Sequence, residues 1–275
     1  RQLKTWTSLK RHNIVMRWLS FKKNSTLSKS RNLKQVTQNS KQQQHISSST
    51  TATQAQSHHI SRQWLPTTAK EVEHLGWDHI DVIFFSGDAY IDHPSMGAAV
   101  IGRVLEAHGY NVAIVPQPNW RDDLRDFKKL GRPRLFFGVS AGAMDSMVNH
   151  YTANRRRRTD DAYTPDGRAG ARPDYPTIVY SEILKRLFPD VPVVAGGIEA
   201  SLRRVAHYDY WQDRLRPSIL ADSPADMLIY GMGEKPIIEL AQRLNDGYSI
   251  ADITDIPQTV VRRPASEIPT SGSDI

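Results

Sequence analysis

A serine lies between two glycines where an apolar run gives way to a helical pattern. The segment GVSAG at 138–142 fits the G-x-S-x-G turn that presents the nucleophile of α/β hydrolases. An acid and a histidine follow in the required order, first Asp174 or Asp190 and then His207. The same small residues also let a strand turn tightly into a helix that Ser140 caps. A serine hydrolase using Ser140, Asp190 and His207 is therefore one hypothesis, and a structural turn is the other.

Polar side chains also follow an earlier apolar run. The segment DAYIDHPSMG at 88–97 contains Asp88 and His93. An imidazole there has the chemistry of an acid–base catalyst or a metal ligand, although a single loop histidine is more often simply solvated. Asp88 and His93 are therefore candidate cofactor contacts, and no metal site is predicted in this chain.

Two later glycine-rich segments complete the set of candidates. Gly196 and Gly197 precede Glu199, and paired glycines let the backbone approach a flat or phosphorylated ligand, or simply form a tight loop. Gly233 and Glu234 belong to a G-x-G segment that lacks the third glycine of the dinucleotide fingerprint. The candidate cofactor-binding residues are therefore Asp88, His93, Ser140, Gly196, Gly197, Glu199, Gly233 and Glu234; catalytic residues stay unassigned.

Two other segments carry charge or aromatic rings without specifying one chemistry. The run Arg155–Arg158, followed by two aspartates, is typical of a solvated loop, with a phosphate-binding patch as the alternative. The segment 207–211 packs a histidine and three aromatic residues together. Clusters of this kind often form docking surfaces.

Apolar runs that alternate with helical patterns must position these residues. Strands are predicted at 81–85, 111–115, 134–139, 191–197 and 226–231, and helices at 94–109, 141–151, 178–188 and 234–247. The alternation predicts an α/β fold with an open, mostly parallel Rossmann-like sheet flanked by helices. Ligands of such sheets bind beyond the carboxyl ends of the strands, where the candidate segments begin.

The charge of this 275-residue chain is divided unevenly. Residues 1–63 hold 12 Lys and Arg and no Asp or Glu, and 31 of these 63 residues are Ser, Thr, Asn or Gln. The other 24 basic residues face 29 acidic ones, which leaves residues 64–275 at −5. We predict a disordered basic extension over 1–63, with a targeting segment or a non-native extension as alternatives. A nucleic-acid partner is not expected, because the basic charge lies outside the globular part.

The absence of cysteine excludes several classes of site within this chain. Disulfides, thiolate zinc sites and cysteine-ligated iron–sulfur clusters all need a residue that the sequence lacks. No apolar run reaches the roughly 18 residues of a transmembrane helix, so no membrane partner is predicted. We expect a cytoplasmic protein.

Several long segments resemble the N-terminal region of the YgiQ-type radical SAM protein family. They are GDAYIDHPSMG, LFFGVSAGAMDSMVNHYTANRRRRTDDAYTPDG, GGIEASLRRVAHYDYW and ADMLIYGMGEKP. The resemblance runs from about 64 to 257 and implies a domain similar to cobalamin-binding Rossmann domains. It leaves 258–275 as a linker or as the start of a radical SAM barrel, which would be the intramolecular partner of this module.

The same resemblance implies which cofactors the full-length protein uses. In the family, three cysteines of a C-x₃-C-x₂-C motif in the barrel hold a 4Fe-4S cluster, and S-adenosylmethionine binds its fourth iron and yields a radical. This chain has no cysteine, so we expect it to be inactive alone. Cobalamin is a further candidate. Domains that ligate it through histidine carry the motif D-x-H-x-x-G, whereas Asp92 and His93 are adjacent here. Under this resemblance the G-x-S-x-G segment is only a turn.

Overall fold

A computed structural model describes residues 64–264 and 266, and within them six strands form one sheet in the order β2-β1-β3-β4-β7-β8. The predicted disorder of 1–63 lies outside these residues. Neighbouring strands pair in parallel except β8, which is antiparallel to β7. The strands of this sheet are β1 Val82–Ser86, β2 Val112–Pro116, β3 Phe136–Ser140, β4 Val193–Gly196, β7 Met227–Ile229 and β8 Thr259–Val261.

Helices cover both faces of the sheet, and a separate antiparallel hairpin follows β4. The hairpin consists of β5 His207–Asp209 and β6 Arg214–Arg216. The helices are α1 Ala69–His74, α2 Gly97–Ala107, α3 Arg125–Lys128, α4 Ser146–His150, α5 Pro176–Leu187, α6 Gly197–Leu202, α7 Ile219–Asp222 and α8 Glu234–Asn245, with a 3₁₀ turn at Pro165–Gly167. The predicted α/β class and the mostly parallel sheet are confirmed.

Each parallel strand is apolar on both faces because each face packs against helices. In β1, Ile83 and Phe85 belong to the cluster that contains Tyr180 and Leu184 of α5. Val82 and Phe84 of β1 belong to a second cluster, which includes Leu105 of α2 and further residues of α8. Alternate side chains of a strand point to opposite faces, so the continuous apolar runs in the sequence reflect burial on both sides.

The helix predicted at 141–151 begins later than the sequence suggests. Gly142 has φ +116°, a backbone conformation that a helix does not contain. Asp145 caps the helix instead, because its side chain accepts from the amides of Met147 and Val148. Residues 141–145 are therefore a loop at the carboxyl edge of the sheet, and α4 starts only at Ser146.

The described part of the segment 258–275 contributes to the sheet. Its residues Thr259–Val261 form β8 and pair with Ile229, Leu228 and Met227 of β7. Because β8 is antiparallel, the chain runs along it from the carboxyl edge of the sheet to the amino edge.

In the described residues no helix is long and apolar enough to cross a membrane.

Candidate functional site

A cleft of about 400 Å³ lies at the carboxyl ends of β1, β3, β4 and β7. The central strand β1 lies between β2 and β3. The chain adds β2 on one side of β1 and then crosses to add β3 on the other side, so the order of strand addition reverses at β1. Open parallel sheets bind their ligands at such a reversal point. Apolar side chains such as Phe84, Ile101 and Ile237 line the cleft. Polar side chains and glycine backbone also line the cleft. A mostly apolar lining with a few polar groups is typical of a small-molecule site.

Six of the eight candidate residues line this cleft. The structure brings together Asp88, Ser140, Gly196, Gly197, Gly233 and Glu234. They come from four strand ends that are far apart in the sequence. Parallel strands present their carboxyl ends at one edge, which is why the sequence alone could group them.

A glycine turn closes against Ser140 at the base of the cleft. Gly197 has φ +83°, and a Cβ atom at this position would lie 2.5 Å from the Ser140 Oγ. The Ser140 hydroxyl oxygen in turn accepts from the amide of Gly142 at 3.2 Å. Only glycine gives the turn this conformation and leaves space above the serine.

A buried ion-pair cluster holds the loops around the cleft in position. Arg172 is only 1% exposed, and its guanidinium is bidentate to Asp161, with both N···O distances 3.1 Å. Its Nη1 lies 2.7 Å from the Asp88 carboxylate and donates to the Ala141 carbonyl at 2.8 Å. Arg172 thus joins the loops after β1 and β3 to the long segment before α5. We call Arg172, Asp88 and Asp161 the buried arginine cluster.

Asp88 is the member of the buried arginine cluster that reaches the cleft. Its other carboxylate oxygen accepts from the amide of Ala143 at 2.6 Å. Burial raises the pKa of Asp88, and the neighbouring charge of Arg172 opposes that effect. The carboxylate is therefore held by fixed donors, which favours a role in shaping the loop.

Glu199 and His93 lie outside the cleft lining. Glu199 is fully buried, and its carboxylate accepts from the Ser146 amide at 3.1 Å and the Thr177 amide at 3.2 Å. It thereby satisfies amide groups at the start of α4 and α5. His93 is exposed, and its Nδ1 lies 2.8 Å from the Ser95 hydroxyl. Both residues help to fix loops near the edge of the sheet.

Gly233 and Glu234 form the beginning of α8. Gly233 precedes the helix, and no side chain caps this end. Within the described part of the chain, the Glu234 carboxylate has no hydrogen-bond or ion-pair partner. A negative charge in the first turn of a helix interacts favourably with the helix dipole. Glu234 is the lining residue whose charge is available to a ligand.

The serine hydrolase alternative fails on the positions of its acid and histidine. Asp190 precedes β4 at the amino edge of the sheet and pairs with Arg132, whereas Ser140 ends β3 at the opposite edge. Asp174, the other acid, lies 2.7 Å from the Nδ1 of His150. The His207 Nδ1 faces the Val205 carbonyl at 3.1 Å. The predicted triad is therefore not assembled, and the G-x-S-x-G segment is the turn that leads from β3 into the loop 141–145.

The sequence did not reveal that Arg172 and Asp161 hold the loops around the cleft in position. The stretch 152–176 is rich in arginine and polar residues, which predicts a solvated loop, and Arg155–Arg158 are indeed exposed. Arg172 is buried because its carboxylate partners surround it, and no local pattern encodes that pairing. A signal in hindsight is that Asp161 and Arg172 share one loop, 11 residues apart.

The aromatic segment 207–211 is divided between the interior and the surface. Asp209 is buried and accepts from the Tyr175 hydroxyl at 2.6 Å. Tyr208 is 55% exposed, and it pairs across the hairpin with Leu215, which is 79% exposed. Directly opposed residues of a hairpin share one face, so Tyr208 and Leu215 form an outward apolar pair.

Comparisons with known proteins identify the family of this chain. The family model described as "Radical SAM N-terminal" matches residues 64–272. A UPF0313 protein of Porphyromonas gingivalis is 69% identical over 77% of this chain and 33% of its own length. The UPF0313 protein YgiQ of Escherichia coli K12 is 56% identical over 72% of this chain and 27% of its own. The chain thus spans about a third of the length of the first of these relatives.

A solved structure gives a more distant match. The radical S-adenosylmethionine methyltransferase TsrM from Kitasatospora setae, with cobalamin and a 4Fe-4S cluster bound, aligns with 66% of this chain and 26% of its own. The identity is 21% and the TM-score is 0.41. The family match and the high-identity relatives decide the assignment: this chain belongs to the radical SAM N-terminal family.

Proposed function

We propose that this chain is the cofactor-binding N-terminal module of a radical SAM protein, and that the carboxyl-edge cleft is the cofactor site. The observation that carries the proposal is the glycine-lined cleft at the reversal point of a parallel sheet. A radical SAM domain in the same chain would hold the 4Fe-4S cluster and S-adenosylmethionine and act on an unknown substrate. The iron–sulfur cluster does not fit this chain itself, because thiolates normally bind its irons and the sequence has no cysteine.

Cobalamin, the further candidate cofactor, would have to bind in the cleft without histidine ligation. Of the described residues that line the cleft, none is a histidine. His93 is exposed and bonded to Ser95. Gly196 has no atom closer than 3.7 Å to the place of a Cβ, and with Gly197 it presents bare backbone beside Ser140, where the nucleotide tail of a corrinoid would lie. When bound, cobalamin would supply radical or group-transfer chemistry, and these residues would hold and orient its tail.

The test is a titration of the chain with hydroxocobalamin, followed by absorbance and by co-elution in gel filtration. We expect saturable binding that Gly197→Val abolishes, because a Cβ there would lie 2.5 Å from the Ser140 Oγ and would displace the turn that lines the cleft. Gly131→Val is the matched control, since Gly131 also has positive φ but a Cβ there meets nothing within 4 Å. His93→Ala should leave binding unchanged.

Two results would contradict the cofactor proposal. One is the absence of saturable binding by the unchanged chain. The other is equal binding by Gly197→Val, which would locate the corrinoid elsewhere. Circular dichroism of each variant establishes that the fold is intact.

We also propose that the outward pair of Tyr208 and Leu215 packs against the radical SAM domain of the full-length protein. Exposed apolar pairs of this kind favour association. Amide hydrogen exchange over 207–211 should be fast in this chain and slow in a full-length relative. The buried strand β3, Phe136–Ser140, is the internal control and should exchange equally in both. Equal exchange at 207–211 in the two proteins would exclude this docking surface.

A further inference from the structure

A second cavity, of about 300 Å³, lies outside the cleft and shares none of its lining residues. Three segments that are distant in sequence form it: the end of α4 with the loop after it, the residues that precede α5, and the turn of the β5–β6 hairpin. The residues used below are Tyr151, Arg155, Asp174, Tyr175, Trp211 and Gln212. We call this cavity the hairpin pocket.

One wall of the hairpin pocket offers hydrogen-bond donors without acceptors. The indole Nε1 of Trp211 is buried and has no partner within the described residues. The guanidinium of Arg155 stacks on the Tyr210 ring at 4.6 Å, and no carboxylate of the described chain pairs with it. The Gln212 Oε1 accepts from Arg214 at 2.8 Å, so its amide nitrogen is the group that can donate to a ligand. A buried N–H without an acceptor is costly, and this wall favours an anionic group.

The lining of the hairpin pocket also carries a fixed negative charge. The Asp174 carboxylate lies 2.7 Å from the Nδ1 of His150 and accepts from the Tyr151 hydroxyl at 2.8 Å. The hydrogen bond from His150 lowers the pKa of Asp174, so the group is ionised at neutral pH. A carboxylate has about four acceptor positions, and two are used here. Asp174 can therefore accept from a cationic ligand group as well.

The ring of Tyr175 provides a rigid surface beside these charges. Arg203 and Arg216 both lie over the ring, at 5.2 Å and 5.0 Å from its centroid. Its hydroxyl donates to Asp209 at 2.6 Å. The ring is thus held by contacts with two guanidinium groups and by the hydrogen bond of its hydroxyl.

We infer that the hairpin pocket binds a small zwitterion of the α-amino acid type. The ligand carboxylate would accept from the Trp211 indole and from Arg155, and its ammonium would donate to Asp174. A simple anion would face the Asp174 charge, and a simple cation would face Arg155, so a ligand with both charges is favoured over either alone. This inference does not depend on the cofactor proposed for the cleft.

The test is isothermal titration of the chain with the proteinogenic L-amino acids, first as a mixture and then singly. We expect saturable binding by at least one of them. Its amine analogue without the carboxylate and its acid analogue without the amino group should each bind at least about tenfold more weakly, because each loses one charged hydrogen bond.

Substitutions then locate the binding. Trp211→Phe keeps the ring and removes the N–H, and Arg155→Met removes the exposed cation; each should weaken binding by about tenfold. Arg156→Met, at the exposed neighbouring position, is the matched control and should have no effect. The inference is overturned if no amino acid binds saturably at millimolar concentration, if the singly charged analogues bind equally well, or if Trp211→Phe and Arg155→Met match the control.

Discussion

Arg172→Met should lower the free energy of unfolding by about 3–5 kcal/mol, the largest effect expected of any single charge removal in this domain. The substitution leaves Asp88 and Asp161 buried without their cation, while methionine fills only part of the space of the guanidinium. Urea unfolding followed by circular dichroism measures the loss. If the variant is unfolded without urea, titration with a stabilising osmolyte gives the same comparison.

Two controls separate this effect from the simple loss of an ion pair. Arg132→Met breaks the exposed pair with Asp190 and should leave the free energy of unfolding nearly unchanged, because solvent screens an exposed ion pair. Arg172→Lys keeps the charge but loses the planar bidentate contact with Asp161, so its stability should lie between that of Arg172→Met and that of the unchanged protein. A loss for Arg172→Met no larger than that for Arg132→Met would mean that the buried arginine cluster does not stabilise the loops.

Gly142→Ala should cost about 3 kcal/mol or more, the second large effect. The backbone at Gly142 has φ +116°, which L-residues rarely adopt, and a Cβ there would lie 2.1 Å from the Asp88 Oδ1. That oxygen cannot move away freely, because the carboxylate is bound to Arg172 and to the Ala143 amide. Strain and overpacking therefore act together. Chemical denaturation, with the thermal midpoint as a second measurement, determines the cost.

Gly131→Ala isolates the steric part of that cost. Gly131 has φ +71°, but a Cβ there meets nothing within 4 Å, so only the backbone strain remains, at about 1 kcal/mol. The difference between the two variants gives an upper limit to the cost of the contact with Asp88, because φ +116° is also the more strained backbone. If both variants lose the same free energy of unfolding, the loop after β3 adapts to the added methyl group. The close approach of Gly142 to Asp88 then contributes nothing to stability.

The parallel sheet could be predicted because its strands are buried on both faces. Continuous apolar runs such as 81–85 mark such strands without ambiguity, and their carboxyl ends must then share an edge. That argument correctly placed Ser140, Gly196 and Gly233 around one cleft. It depends only on local hydrophobicity and on chain direction, both of which a single sequence contains.

The residues that sequence reasoning missed or misplaced depend on long-range pairing. In the sequence Arg172 cannot be distinguished from other loop arginines; the structure shows that Asp88 and Asp161 surround it. Glu199 was predicted as a ligand contact, but its carboxylate accepts hydrogen bonds from the amides of Ser146 and Thr177. Their burial is a property of the assembled loops. The short strand β8 was missed for a related reason, since three residues of moderate hydrophobicity form a strand only when an edge is available.

The direction of β8 has a practical consequence for anyone who fuses this module to another protein. Val261 stands at the amino edge, and the Arg262 guanidinium donates to the carbonyls of Leu220, Ser223 and Ala225, which ties the outgoing backbone to that side. A reporter joined after Arg263 would therefore start on the side away from the cleft. To reach the cleft, its tether must run the length of a strand, about 15 Å, or roughly five extended residues, before it can turn inward. A short rigid tether would leave the cleft open to added ligands, and a flexible one of about ten or more residues would let the fused protein cover it.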